Sequence, residues 1–408
     1  MAIAHKSQEV RLGILPNWQQ FTLLMATNAF VGGMAGLERA IVPLIGQEEF
    51  GLSSKVVIVS FIATFGISKA FANLVVGRLA EKFSRRNLLI AGWLIGIPVP
   101  FLLMWANSWS MVLFANLLLG ANQGLSWSMT VNMKIDIAGP RQRGLALGLN
   151  EMAGYMAVAA TAFGAGIIAS HWGLRPHPFY LGIGLVAAGL ALSTLLIKDT
   201  VAYVKKEASS INTVAGGTRG SEGKKESKPQ RFAVTQAGFV NNFNDALVWG
   251  ILPLYLVTRK LSIGEISAVA AIYPLVWGTS QALTGWVSDA LGRKPLVVSG
   301  MVLQALAIAG FTLIDSYGWF LLAACFLGIG TAMVYPVLMA AISDDTTPMD
   351  RSSALGRYRF WRDVGSAAGA LGSGVIADLF GFSAAINTVA AVTALSGCIT
   401  ALLMRGGR

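Results

Sequence analysis

Among the ionisable side chains that stand inside otherwise apolar stretches of the chain are Lys69, Glu151, Asp245, Arg359, Arg362 and Asp363. At the centre of a bilayer each would cost roughly 3 kcal/mol, so groups of this kind must face protein or water. Arg359, Arg362 and Asp363 are spaced i, i+3 and i+4 and share one helical face. Asp363 lies about ten residues, ~15 Å, from the nearer end of its segment, and Lys69 reaches nearly the same depth in another. Groups at such depths act on a substrate or in coupling, or form a purely structural salt bridge. A carboxyl in such a place can take up and release a proton, because burial disfavours its charged form. Asp245, Glu151 and Asp363 are the candidates for that role. Asn241, Asn244, Asp245 and Trp249 read as one face, too rich in hydrogen-bonding groups to meet lipid, and form the first substrate-site candidate. Trp127, Tyr155, Tyr273, Trp277, Tyr335 and Trp361 could stack on an organic ligand, although aromatic residues in such segments also serve as packing. Glu38 and Arg39 read as a local ion pair, or as snorkelling towards the interface from the end of the first segment.

What must position these groups is a set of membrane helices. Of 408 residues 54% are hydrophobic and 12% charged, about half the charge a soluble protein of this length carries. The 46 glycines fit helices that approach one another closely in lipid. Twelve stretches are each long enough to cross ~30 Å of hydrocarbon: 18-42, 55-78, 87-106, 109-131, 144-170, 178-197, 232-257, 264-288, 295-314, 317-341, 353-378 and 382-404. The fold class expected is therefore all-α and polytopic. The net charge of +11 does not point to nucleic acid, since the basic residues fall in short loops on alternate sides of the spans. With both termini cytoplasmic, about 22 Lys and Arg lie inside, and only Lys55, Arg175, Arg259 and Lys260 lie outside. The apolar run from Trp18 is long enough to span and reads as the first helix rather than a cleaved signal. Residues 199-231 are polar, glycine-containing and without helical periodicity, and read as a cytoplasmic linker between an N-terminal half, 1-198, and a C-terminal half, 232-408. Cys325 and Cys398 sit within spans without metal-type spacing, and His5, His171 and His177 are in the tail and a loop, so no metal site is expected. No phosphate-binding loop or other cofactor motif occurs, and no catalytic constellation.

The two halves repeat at an offset of 208 residues. Gly77, Glu81, Arg85 and Arg86 in the loop after span 2 match Gly285, Asp289, Arg293 and Lys294 after span 8. Pro140, Arg143, Gly148 and Gly173 match Pro348, Arg351, Gly356 and Gly381. Within the spans, Phe65, Lys69, Asn73 and Gly77 match Tyr273, Trp277, Gln281 and Gly285 at four-residue steps, so that each quartet shares a face directed to the space between the halves.

Two six-helix halves, a charged central loop and a Gly-acid-basic loop after the second helix of each half resemble the major facilitator superfamily over essentially the whole chain. The resemblance implies two pseudo-symmetric bundles, a monomer in the inner membrane of a bacterium, and alternating access. It further implies that Glu81 latches near Arg351, and Asp289 near Arg143, in the outward-open state, and, because helices 2 and 11 are neighbours across the half-interface in that superfamily, that Lys69 pairs with Asp363 while Arg359 and Arg362 line the inner cavity. Glu81 and Ser84 replace the usual aspartate and glycine of the first loop. Asn116, four residues before Gly120, stands where the drug/proton antiporter branch has arginine, and that branch's glycine-proline signature in span 5 is absent. The reading is of a proton-coupled secondary transporter for a small organic solute, anionic or zwitterionic given the mixed cavity charges, with its direction open and efflux one candidate. A multidrug/proton antiporter, a divalent-metal exporter using Asp245 and the span 7 asparagines, and a non-transporting sensor or assembly protein on the same fold are the alternatives.

Overall fold

Each of the twelve apolar stretches is helical. A computed structural model describes residues 11–139, 142–214, 228–344 and 351–405, without the side chains of several helical residues, Glu81, Arg143, Asp289 and Arg351 among them. Span 1 is α1 (Trp18–Leu44) continued by a π-helical turn, Ile45–Glu49; span 2 is α2 (Lys55–Lys82). Span 3 is α3 (Arg85–Gly96) and α4 (Pro98–Met104), divided where Pro98 withdraws an N–H from the ladder. Spans 4, 5 and 6 are α5 (Trp109–Ala138), α6 (Arg143–Trp172) and α7 (Tyr180–Leu195). After α8 (Val201–Val214), span 7 runs through α9 (Lys228–Ala246), a π-helical turn at Leu247–Ile251 and α10 (Leu252–Thr258). Spans 8 to 12 are α11 (Ile263–Leu291), α12 (Arg293–Gly310), α13 (Tyr317–Asp344), α14 (Arg351–Phe380) and α15 (Phe382–Leu403). An even number of crossings puts both termini on one side of the bundle, here called the terminal face.

The linker departs from expectation, because 199-231 is helical at both ends. Asp199 accepts from the Val201 N–H at 2.8 Å, which starts α8 as a cap would, and the Ala, Lys and Glu that follow are strong helix formers. Tyr203 then donates to Asn17 Oδ1 at 2.7 Å and ties α8 to the first half. Span 7 likewise begins at Lys228, one turn before 232.

By length and hydropathy alone, seven helical segments among the described residues are apolar enough to cross a membrane. Spans 4, 7, 8, 9 and 11 fall short because they are interrupted, short, or carry polar groups. Those groups are turned inward: Asn116, Asn122, Gln123 and Lys134 on span 4 are at most 1% exposed. What faces outward is Phe114, Leu117, Leu371, Leu379 and their like, the composition of a surface solvated by hydrocarbon.

The repeat is legible in the packing. A Cβ on Gly120 of span 4 would stand 3.1 Å from the backbone nitrogen of Lys69 on span 2, and one on Gly328 of span 10 would stand 3.1 Å from the backbone nitrogen of Trp277 on span 8. These are equivalent positions, and in both halves only glycine lets the two backbones meet. Gly173 and Gly381 close spans 5 and 11 with φ of 84° and 85°. The loop after span 2 breaks the symmetry. Gly292 has φ 89°, whereas Ser84 has φ −57° and uses its hydroxyl to accept from Asn87 N and to donate to Asp199. Burial would raise the Asp199 carboxyl, but the bonds from Ser84 and from the N–H groups of Val201 and Arg86, with Arg85 nearby, hold it below its ordinary value.

On the face away from the termini the two halves are drawn together. Asp378 at the end of span 11 accepts from the Lys55 N–H at 2.6 Å, the Val56 N–H at 3.0 Å and the Ser54 hydroxyl at 2.7 Å, capping span 2 from the opposite half. Gly374 packs its backbone on Val56, and Gly166 of span 5 on Ser267 of span 8. On the terminal side, Gly148, Gly285 and Gly356 have open space beside them. Asp378→Asn is expected to weaken this closure. In a variant with Cys325 and Cys398 replaced by serine and a cysteine at Val59, which is fully buried, an impermeant maleimide should label about tenfold faster from the distal side. An unchanged rate would mean that glycine packing alone holds the face shut.

Candidate functional site

The charged residues picked out by spacing converge where the halves meet. Lys69 Nζ on span 2 lies 4.0 Å from Asp363 Oδ1 on span 11, and Arg362 Nη1 lies 3.5 Å from the same oxygen. Asn73, one turn below Lys69, donates to Asp363 Oδ2 at 2.7 Å and accepts from Ser128 at 2.9 Å. Asp363 thus serves two cations and one amide. Arg362 stacks over Tyr335 of span 10 at 4.1 Å, and Lys69 keeps 22% of its side chain exposed. Arg359 is half-buried one turn nearer the terminal face.

Arg39 does not behave as expected. It neither pairs locally with Glu38 nor snorkels: its Nη1 reaches Asp245 Oδ1 of span 7 at 3.2 Å, and its guanidinium lies 3.3 Å over the Trp249 ring. The reason is length. The helical rise of span 1 continues through Glu49, so Arg39 is about ten residues, ~15 Å, from that end rather than beside it. Glu38 is buried too, 2% exposed, with Oε1 unpartnered.

The span 7 face divides. Asp245 and Trp249 reach the cavity, helped by the π turn at Leu247–Ile251, which offsets Trp249 from the α-helical register. Asn241 and Asn244 point away from it, into their own bundle. Gln304 of span 9 bonds both, donating to Asn241 at 3.1 Å and accepting from Asn244 at 3.0 Å, while Thr393 of span 12 donates to Asn244 at 2.8 Å. At this depth span 7 is buried among its neighbours, and the two amides bond within the C-terminal bundle rather than facing the cavity. Asn242, between them, instead donates to the Arg362 carbonyl at 2.9 Å.

Across the interface of spans 5 and 8 the contact is aromatic. Tyr155 and Trp277 stack with centroids 3.7 Å apart, Trp127 adjoins Tyr155 at 5.6 Å, and Tyr335 and Tyr273 adjoin Trp277 at 5.9 and 5.7 Å. Gln281, one turn beyond Trp277, is buried with Nε2 unpartnered. Trp361 does not join this group: it packs on Phe360 and is half exposed on the opposite face of span 11. Glu151 Oε1 accepts from Trp127 at 3.0 Å and from Asn150 at 3.0 Å, and its Oε2 is buried without a partner. Behind it, fully buried Lys134 donates to Asn150 Oδ1 at 2.5 Å, a link that spacing gave no reason to expect.

Arg39, Lys69, Asp245, Arg362, Asp363 and Tyr155 all line one enclosed cavity of about 30 Å³, room for about one water. Among the described residues no group of His, Cys, Asp or Glu could hold a metal. Of the loop residues, Arg85 pairs with Asp136 at 2.9 Å and Arg293 donates to Ser288, while Gly77 and Gly285 lie within their helices. The proposed latches from Glu81 to Arg351 and from Asp289 to Arg143 fall on side chains outside the described residues, as do Pro140 and Pro348.

The profile of the Major Facilitator Superfamily matches residues 22–231 and 234–407, one match to each half. The chain belongs to this superfamily. It is an integral membrane protein and a secondary transporter rather than an enzyme. Among relatives, the multidrug resistance protein MdtG of Escherichia fergusonii is 23% identical over 395 residues, covering 92% of both chains. The inner membrane transport protein YnfM of Escherichia coli is 28% identical over 169 residues, 40% of each chain. In three dimensions the crystal structure of the human organic anion transporter MFSD10 (TETRAN) superimposes with a TM-score of 0.70 at 15% identity, covering 94% of this chain and 99% of that one. At that identity the likeness is one of superfamily fold.

Proposed function

We propose that this transporter carries a small organic anion or zwitterion across the inner membrane by alternating access, coupled to protons. The observation that carries this reading is the excess of cations over carboxylate around Asp363: Lys69 and Arg362 share it, and Lys69 remains partly open to the cavity. An anionic group entering there competes with Asp363 for both cations, since charge-assisted bonds to Arg and Lys are the strongest available to it. Displaced from its partners in a low-dielectric site, Asp363 takes a proton. Asp245, held by Arg39, and Glu151, with one oxygen unpartnered, are the other proton carriers. The halves, which we take to be 1-198 and 232-408 joined by 199-231, rock about this cluster, with the terminal face in the cytoplasm.

The aromatic group Trp127, Tyr155, Trp277 and Tyr335, together with the relatedness to a multidrug resistance protein, supports a second reading: efflux of flat lipophilic compounds. Proteoliposomes loaded with a pH-sensitive dye separate the two. Wild type challenged with organic anions and with lipophilic cations should move protons with the anions, and Asp245→Asn or Glu151→Gln should abolish that flux. Proton flux with cations alone would favour drug antiport, and flux retained in both variants would remove these carboxyls from the coupling.

A further inference from the structure

Between the terminal-side halves of spans 7 and 11 lies a second cavity, of about 690 Å³, separate from the central one and lined by none of its residues. Lys228, Arg231 and Arg357 line it, and no carboxylate is among its described lining residues. The rest is largely apolar, with Phe232, Phe239 and Trp361 the largest groups. The two kinds of residue are layered. Lys228 is the first residue of α9 and Arg357 lies within the first two turns of α14, whereas Trp361 is one turn, ~6 Å, deeper and Phe239 is eleven residues, ~16 Å, beyond Lys228.

The helical register of span 11 shows which way this cavity opens. Asp363 and Ala367 face span 2, where Gly66 packs against their backbones, while Gly365 and Gly369 face span 7. Trp361 lies on another side, shared with Val375 and Leu379, fourteen and eighteen residues on. Those two are 44% and 69% exposed, and Trp361 and Phe232 are 50% and 57% exposed. This is the side turned to the bilayer. The cavity is thus a groove with a cationic rim at headgroup level and aromatic walls at the level of the acyl chains.

We infer that the groove binds one anionic phospholipid from the leaflet on the terminal side, its phosphate on Lys228, Arg231 and Arg357 and its first acyl segments against Phe232, Phe239 and Trp361. The charge of the rim selects an anion. The volume, within the ~300–1,000 Å³ of ligand sites, fits a headgroup and the upper part of its chains. A soluble organic anion would leave the exposed aromatic wall uncovered, and a zwitterionic lipid would bring an ammonium against a rim that is already cationic.

The full chain in nanodiscs containing brominated phosphatidylglycerol or brominated phosphatidylcholine tests this through tryptophan fluorescence. Subtracting a Trp361→Phe variant isolates the Trp361 signal. Half-maximal quenching of Trp361 is expected at a mole fraction about tenfold lower for phosphatidylglycerol. A K228Q/R231Q/R357Q variant should quench equally with both lipids. Equal quenching in wild type, or a preference that survives in the triple variant, overturns the proposal. Should the triple variant not fold, raising salt around wild type serves in its place: the preference must shrink as the headgroup charge is screened, and an undiminished one overturns the assignment.

Discussion

Asp363→Asn is expected to lower the initial rate of transport by about 100-fold or more and to destabilise the protein by roughly 3–5 kcal/mol, the cost of leaving buried charge uncompensated. The carboxylate neutralises Lys69 at 4.0 Å and Arg362 at 3.5 Å. Its other oxygen accepts from Asn73 at 2.7 Å. Asparagine can keep one of these bonds but no charge, so two cations remain buried among Tyr155, Tyr335 and Trp127. The companion variants divide stability from function. Lys69→Met should also slow transport, since it removes the cation most open to the cavity. The double variant Lys69→Met/Asp363→Asn leaves Arg362 as the sole cation of the cluster and should recover part of the lost stability without recovering transport. Thermal unfolding followed by fluorescence and initial uptake into proteoliposomes read the two quantities. Wild-type rates in Lys69→Met would reduce the cluster to a tie between the halves.

Much of this site could be reached by counting. The depth of Lys69 and of Asp363 follows from residue number and helical rise, and the superfamily's neighbouring of helices 2 and 11 brings them together. The 208-residue offset carries further than expected: it maps Lys69 onto Trp277 and Asp363 onto Tyr155, so the ionic contact between spans 2 and 11 and the aromatic stack between spans 5 and 8 occupy equivalent places. One interface is polar and the other is not, and a substrate between them would meet charge on one side and π faces on the other. What counting could not reach depends on local breaks and on enclosure. The continuation of span 1 through a π turn moves Arg39 from an end to the interior, and the π turn in span 7 brings Trp249 over it. Asn241 and Asn244 share a stripe with Asp245 on paper, but a helix packed on several sides presents more than one buried face. Gln304 had no repeat partner or charged neighbour to mark it, and only the packed bundle reveals its bonds to both asparagines.

Arg39→Met should be as severe as Asp363→Asn, and for a reason that can be separated from it. Asp245 would lose the guanidinium it pairs with at 3.2 Å, in a site where the carboxylate side chain is 10% exposed. The expected cost is again roughly 3–5 kcal/mol of stability, with transport lost. Replacing both, as Arg39→Met/Asp245→Leu, removes the desolvation penalty together with the pair and should return stability to near or above wild type, because apolar isosteres of buried ion pairs pack well. Transport should stay abolished. If the apolar pair transports normally, the cross-half bridge is a structural strut and the proton path runs through Glu151 or Asp363 alone. If Arg39→Met is inactive while Asp245→Asn keeps substrate exchange but loses proton flux, then Arg39 holds the cavity in shape and Asp245 carries the proton. The geometry favours that division of labour: the guanidinium is fixed against Trp249 at 3.3 Å, so the carboxylate is the partner free to change state as the halves move.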